Sequence, residues 1–329
     1  MSDVKAINLT AVFNDICENS ATTRADISKR TEISVVTIGK AVEKLESMNF
    51  VMQYKNPKIR VGRNENIIEL NKNSLFLIID LSHNNFEYCL INLTGSIIQR
   101  DYYFHNPDFI YEDNLRAFFN SIYKKIDNYK SYTILCIGVL LPSVLLDSKI
   151  FKSSELHYID IEKILRESLR FENCISEYFL SCASDNIKNE FTILPNDTYV
   201  YFSMMPDYPS ISVCNTTPEK IICFGDIPVS PKLNYSQILK MTLSTESLIR
   251  YIVTALSAVA SITGAKVILI DDNNYTFTNA EISNMEKEVC KRIKADIKLT
   301  LFNKKFAIQG ITKIIKSKIL LSEAKGNSP

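Results

Sequence analysis

Apolar residues recur at helical spacing through the first fifth of the chain and at strand spacing immediately afterwards, so the change of period divides the sequence. Val4, Ile7, Ala11, Val12 and Ile16 or Cys17 predict an opening helix. Thr23-Arg24-Ala25-Asp26 has the form of a capping box, the Thr23 hydroxyl accepting from the Asp26 amide and Asp26 reaching back. A short helix is therefore expected from Arg24 to about Arg30. Ser34 is a good N-cap for a further helix from Val35 to about Met48, and Ile27, Ile33, Ile38, Val42 and Leu45 are placed to form one small core. Asn49 stands where that helix must stop, a position that favours a left-handed residue. Phe50-Val51-Met52 and Ile67 to Leu70 read as two strands. The loop between them carries Lys55, Lys58, Arg60 and Arg63, with no acidic residue from Lys55 to Arg63. Helix, turn, helix and basic hairpin is the layout of a winged helix-turn-helix, expected over residues 1–72.

From residue 73 the pattern changes. Leu75 to Leu81 is an apolar run broken only by Asp80; Phe86 to Leu93 follows, then Ser96 to Gln99 after a Thr94-Gly95 turn. Helices are expected at Phe109 to Tyr129, Ile159 to Leu169 and Phe179 to Asn189, with strands at Thr133 to Leu141 and near Cys174. A second strand triplet (Thr198 to Met204, Ile211 to Asn215, Lys220 to Phe224) precedes a long buried helix from Thr245 to Ser261. Strand Lys266 to Ile270, helix Asn279 to Lys294, strand Ile297 to Phe302 and a last helix from about Ala307 to Leu321 complete the chain. Two triplets, each followed by alternating helices and strands, indicate an α/β fold of two similar lobes. Lobe one is expected over about 73–180 with the C-terminal helix at 307–325, and lobe two over about 181–306.

Composition changes this picture in three places. The net charge of +1 leaves nucleic-acid binding to be decided by local distribution alone, and the basic hairpin is such a local feature. The 8 cysteines show no C-x-x-C spacing and no histidine cluster, so no metal is expected; His83, His105 and His157 are isolated and read as structural or exposed. The 8 glycines in 329 residues are about a third of the usual ~7% share, and no two lie close enough for a phosphate-cradling loop. No cofactor is expected. Met1 to Leu9 lacks the apolar core of a signal peptide, and Leu248 to Ile262 is interrupted by Arg250, Thr254, Ser257 and Ser261, so the expected setting is the cytoplasm, away from membranes.

The candidate chemistry sits in the first 72 residues. Ser34, Val35, Val36, Thr37 and Lys40 lie at the N-terminal end of the second helix of the motif, the part that enters a major groove. Hydroxyls there can reach phosphates or base edges, and valines can touch thymine methyls. Arg24, Lys58, Arg60 and Arg63 are candidates for phosphate or minor-groove contacts. The competing reading is a protein-interaction module with a solvated basic rim.

The winged helix, the linker Val61-Gly62-Arg63-Asn64, the run Ile68-Glu69-Leu70-Asn71 and the strand ending in Asp80 resemble the ROK family (repressors, open reading frames and kinases). Ile137 to Pro142 followed by Asp147 is similar to the family's strand ending in Pro-Gly, with Ser143 in place of the glycine. The resemblance implies a two-lobed actin-like ATPase (RNase H-like) fold behind the winged helix. It also implies a regulator of sugar operons acting as a homodimer or dimer of dimers on a pseudo-palindromic operator, its effector a sugar or sugar phosphate held between the lobes. The departures bear on chemistry. Asp80 is followed by Leu81-Ser82-His83-Asn84-Asn85 instead of a glycine-bearing phosphate loop. The kinases' catalytic aspartate falls on Tyr178 of Ser176-Glu177-Tyr178; their second phosphate loop is replaced by Met205-Pro206-Asp207-Tyr208; their sugar-binding histidine is missing from Asp226-Ile227-Pro228-Val229; the zinc loop is absent. Phosphoryl transfer then lacks its positioned base, and no enzyme activity is expected. Asp80, Glu177, Tyr178 and Asp226 are candidate walls of an altered effector pocket, with ordinary surface or packed residues the competing reading; a different small effector, a protein partner and no effector at all stay open. A sugar kinase-like enzyme with a DNA-binding arm is the remaining alternative.

Overall fold

The computed structural model describes residues 2–55, 66–82, 85–106, 108, 110–126, 131–141, 149–152, 157–204, 210–214, 220–223, 228–230, 233–234, 244–271 and 277–324. The first 70 residues form α1 (Ser2–Asn19), α2 (Arg24–Thr31), α3 (Val35–Ser47) and the antiparallel pair β1 (Val51–Lys55) and β2 (Asn66–Leu70). Thr22 adds a bridge to β2 through Thr22 N to Ile68 O at 2.9 Å and Ile68 N to Thr22 O at 2.7 Å.

The buried stripe of α1 differs from the expected one. Ala6, Leu9, Val12, Phe13 and Ile16 are buried, whereas Val4 and Ile7 are 61% and 65% exposed. Two series with helical spacing run through this segment, 4-7-11 and 6-9-13-16, offset by two residues and hence by about 200° around the axis. The series carrying Phe13 buries more apolar area and wins the core. The Thr23 hydroxyl accepts from the Asp26 amide (3.2 Å) as expected, but the carboxylate of Asp26 accepts from that hydroxyl (2.9 Å) instead of from the Thr23 amide. Asn49 takes φ 60°, the left-handed stop anticipated for it.

Phe50 joins this N-terminal module to lobe one. Its ring lies 5.2 Å from Phe13 of α1 and 6.4 Å, edge-on, from Phe76. Ser74 Oγ donates to the Asn49 carbonyl at 2.6 Å, and Asn71 N to the Phe50 carbonyl at 3.0 Å.

Lobe one is built on β3 (Ser74–Asp80), β4 (Phe86–Asn92), β5 (Ile97–Tyr103), β6 (Thr133–Leu141) and β9 (Cys174–Tyr178), in the order β5-β4-β3-β6-β9. The first three are antiparallel; β6 and β9 run parallel to β3. Between them come α4 (Tyr111–Ile126), the short pair β7 (Lys149–Lys152) and β8 (His157–Asp160), and α5 (Ile161–Leu169). The helix expected from Ile159 starts at Ile161, because the Asp160 side chain caps it by accepting from Lys163 N at 2.9 Å. One sheet face buries Leu77, Ile79 and Val139 against Leu115 and Phe118 of α4 and Ile164 of α5.

On the other face the C-terminal helix makes two close approaches, one to β6 and one to α6 (Phe179–Glu190). A Cβ on Gly138 would stand 2.7 Å from Ile315 Cδ1, and one on Gly310 would stand 1.7 Å from the Cys182 carbonyl oxygen.

Lobe two repeats the plan. β10 (Tyr199–Ser203), β11 (Ser210–Cys214) and β12 (Lys220–Cys223) are antiparallel, followed by the pair β13 (Pro228–Ser230) and β14 (Leu233–Asn234). Next come α7 (Thr245–Thr263), β15 (Val267–Asp271), α8 (Asn279–Ile293) and β16 (Lys298–Leu301), and α9 (Lys305–Ala324) closes the chain. The order β12-β11-β10-β15-β16, with β15 and β16 parallel to β10, matches lobe one strand for strand. This is the α/β, two-lobed actin-like architecture expected behind the winged helix. At 19 residues α7 is long and apolar enough to cross a bilayer, but Leu248, Ile252, Val253, Leu256 and Ala260 lie in the core of lobe two. The chain divides into two compact units: Met1–Ile150, Ile159–Cys182 and Ala307–Pro329 form one, Phe151–Tyr158 and Ala183–Phe306 the other.

Burial pushes the thiols of Cys89, Cys136 and Cys182 from an ordinary value near 9 up to about 12. Each native thiol thus titrates above its unfolded counterpart. The stability this contributes is complete below about pH 9 and declines as pH rises towards 12. Urea unfolding at pH 8 and pH 10 should show a lower midpoint at the higher pH. At pH 8 these three thiols should resist a thiol-disulfide reagent until the protein is unfolded.

Candidate nucleic-acid interface

The α2–α3 corner is fixed by short-range bonds. Glu32 takes φ 58° and donates its amide to the Ser28 carbonyl, and Ser28 Oγ donates to the Ile33 carbonyl at 2.7 Å. Arg30 holds the corner on α1. Its Nε and Nη2 donate to Asp15 Oδ1 and Oδ2 at 2.8 and 2.7 Å, and Nη2 also to Thr22 Oγ1 at 2.6 Å. The hydrogen bonds to Asp15 raise the guanidinium's already high pKa. Asp15 is buried but Arg30 is 37% exposed, so Asp15→Ala leaves a cation that water can reach and should lower stability by about 1 kcal/mol, readable as a lower urea midpoint.

The corner presents the tip of α3 to solvent. Val35 is 49% and Val36 72% exposed, Ser34 and Lys40 are exposed, and Thr37 is half-buried. Ile38, Val42 and Leu45 point the other way into the core, so the exposed positions share one face. The two hydroxyls are engaged within the cap: Ser34 Oγ lies 2.9 Å from Thr37 Oγ1 and accepts from Thr37 N at 3.3 Å. That leaves the Val36 methyls and the Lys40 ammonium as the most outward groups.

Arg24 is held differently from a free phosphate clamp. Its Nη2 donates to Gln53 Oε1 at 3.0 Å and lies 3.7 Å from Glu43 Oε1, while Gln53 Nε2 donates to Glu46 Oε2 at 2.7 Å. The guanidinium passes so close over Gly39 that a Cβ there would meet Arg24 Nη1 at 2.9 Å. Glu43 and Gln53 are thus part of this surface, although neither stands out in the sequence. Glu43 lies seven residues after Val36, on the same helical face, and that spacing is the available signal. Lys58, Arg60 and Arg63 lie outside the described residues.

Comparison with known proteins bears on what such a surface serves. No protein-family model matches the chain. One stretch of 96 residues is 30% identical to a candidate xylose repressor of Caldicellulosiruptor sp. (strain Rt8B.4), covering 29% of this chain and 24% of that protein's length. The structure superposes on a ROK-family transcriptional regulator, a homolog of the E. coli MLC protein, with TM-score 0.63 and 15% identity over 98% of this chain and 100% of that one.

The chain has the fold of a ROK-family transcriptional regulator.

A candidate N-acetylmannosamine kinase from Listeria monocytogenes aligns with TM-score 0.50 and 11% identity over 99% of its own length but only 74% of this chain. Within the ROK fold, register places the remaining candidates. Asp80 of β3, Leu140 of β6 and Glu177 of β9 occupy one row at the carboxyl ends of three parallel strands, where open α/β sheets receive ligands. Asp80 is buried and accepts from Ser82 N at 2.8 Å and from the Ser82 hydroxyl. Glu177 accepts from Lys318 Nζ of α9 at 2.7 Å. Tyr178, next along β9, points to the opposite side of the sheet, since side chains alternate, and is buried edge-on against Phe179. Glu177 and Tyr178 thus stand on opposite sides of β9. Asp226 and His83 lie outside the described residues. A cavity of about 560 Å³ opens beside Met48, Phe50, Cys136, Asn173 and Lys318, and none of Asp80, Glu177 and Tyr178 lines it.

Proposed function

We propose that the protein is a DNA-binding transcription regulator, a repressor in the ROK manner, working as a homodimer whose two α3 tips enter successive major grooves of a pseudo-palindromic operator. The observation that carries this reading is the α3 tip itself. A cap-stabilised helix end exposes two valines and a lysine in a reader that is bonded to the lobe behind it. Val35 and Val36 meet thymine methyls, Lys40 a phosphate or a guanine edge, and Ser34 and Thr37 present the helix N-terminus to the backbone. Lys58, Arg60 and Arg63, in the segment between β1 and β2, add phosphate or minor-groove contacts. Arg24 acts mainly by holding α3 against β1 through Gln53 and Glu43. The whole-length superposition on a regulator supports the reading, since the kinase alignment covers only the share a chain without the reader would have. Asp80 and Glu177 would border the effector site; a sugar or sugar phosphate is the chemistry the candidate xylose repressor suggests. Phosphoryl transfer is left out of the proposal, because Tyr178 offers no carboxylate to accept a hydroxyl proton.

The test is fluorescence anisotropy of DNA fragments from upstream of the gene over a salt series. With six or more phosphates neutralised, affinity should fall about a thousandfold between 50 and 200 mM salt while a preferred fragment stays ahead of scrambled DNA. Equal, weak binding to every fragment at moderate salt would sink the regulator reading and favour a protein-interaction module. ATP-dependent sugar phosphorylation in a coupled assay would restore the kinase.

A further inference from the structure

A carboxylate stands at the centre of the exposed face of α3. Val36, Lys40 and Glu43 fall within about 60° of one another around the helix, opposite Ile38, Val42 and Leu45. The Glu43 side chain is 66% exposed. Negative charge on a face that meets phosphates is repelled by all of them, so it lowers affinity for DNA in general. Its structural value is small. Glu43 Oε1 lies 3.7 Å from Arg24 Nη2, longer than a hydrogen bond, and an exposed ion pair of that kind adds little. Arg24 is fixed by other partners: Nη2 donates to Gln53 Oε1 at 3.0 Å, Gln53 Nε2 donates to Glu46 Oε2 at 2.7 Å, and the guanidinium lies over Gly39. The cation beside Glu43 is thus held by a separate framework, and the carboxylate keeps lone pairs for another donor.

We propose that Glu43 reads a cytosine in the operator, its carboxylate accepting from the N4 amino group in the major groove. Two bases present an amino donor there. Adenine sets its N7 acceptor beside the amino group, where the second carboxylate oxygen would meet a lone pair. Cytosine offers its amino donor with no acceptor on the same base, so a carboxylate selects it over adenine. Guanine presents only acceptors and thymine an acceptor and a methyl group, and neither gives a carboxylate a partner. Arg24 on one side and Lys40 on the other supply the positive charge that lets a carboxylate enter a groove walled by phosphates. Spacing places the contact. Glu43 is seven residues beyond Val36, about 10.5 Å along the helix axis, which matches about three base pairs of duplex. Each half-site then carries a C·G pair about three steps from the thymine that Val36 touches. The inference rests on the regulator reading, since it needs α3 in the groove, and it adds a sequence requirement to that reading.

The test is selection from a pool of duplexes randomised over about 20 base pairs, the span of two half-sites, by full-length wild type, Glu43→Gln, Glu43→Ala and Val36→Ala. Wild type should retain a C·G pair about three steps from the position that Val36→Ala relaxes. Glu43→Gln should change that pair to A·T, because a carboxamide accepts from the adenine amino group and donates to N7. Glu43→Ala should tolerate any pair there and should bind scrambled duplex more tightly than wild type does, one charge facing the phosphates being gone. In anisotropy titrations, replacing the C·G pair in one half-site should weaken wild type about tenfold and Glu43→Ala less than about twofold. Unchanged melting temperatures verify that these surface variants fold. Selection of the same bases by the Glu43 variants and wild type overturns the proposal with the regulator reading intact. So does an even loss of affinity for all sequences, the result of a role confined to steadying Arg24. Failure of wild type to select any sequence would end the regulator reading itself and this inference with it.

Discussion

Val36→Glu should abolish specific DNA binding while leaving the folded protein intact. Val36 is 72% exposed and touches none of the reader core, so its replacement should change stability by less than about 0.5 kcal/mol. At a groove floor the same change exchanges two methyls for a carboxylate among phosphates and base acceptors. A loss of about 2 kcal/mol at each half-site, doubled in a dimer, amounts to roughly a thousandfold in affinity. Anisotropy titration read beside thermal unfolding separates the two effects. Undiminished affinity in a folded variant would remove α3 from the interface.

The largest expected effect on the fold is at Gly310. A Cβ there would sit 1.7 Å from the carbonyl oxygen and 2.5 Å from the carbonyl carbon of Cys182, both backbone atoms that cannot rotate aside. Gly310→Ala must therefore push α9 off the first turn of α6, and α9 also packs Ile311 and Ile315 against β6 at Gly138. A loss of about 3 kcal/mol is expected from urea unfolding. Gly138→Ala should cost less, because its new atom would meet the ends of Ile315, Ile78 and Ile311 side chains, which can adjust. Equal stability of the Gly310 variant and wild type would contradict the close helix crossing.

Signals between residues near one another in sequence are legible, and contacts brought together from afar are not. The caps at Thr23 and Ser34, the stop at Asn49 and the repeated strand triplets are local signals, and the structure carries each. Arg24 shows the other case. Its charge points to DNA, yet its partner Gln53 is 29 residues away, beyond any periodicity. Gly310 sits inside a helical pattern and looks like a minor flaw in it; only the approach of α6, some 130 residues earlier, explains its missing side chain. Glu177 and Tyr178 adjoin and so suggest one pocket, although adjacency in a strand separates two side chains across the sheet. In α1 two apolar stripes compete at helical spacing, and the one with Phe13 packs on Phe50, a residue the spacing alone does not bring in.

Phe50, wedged between Phe13 and Phe76, has one more implication. A recognition head soldered to its lobe in this way has no tether on which to wander. In the homodimer proposed above, two such heads would act like the jaws of a calliper, with the gap between them set by its body. One base pair inserted between operator halves shifts the second half by about 3.4 Å and turns it by about 35°, and rigid jaws cannot follow that turn.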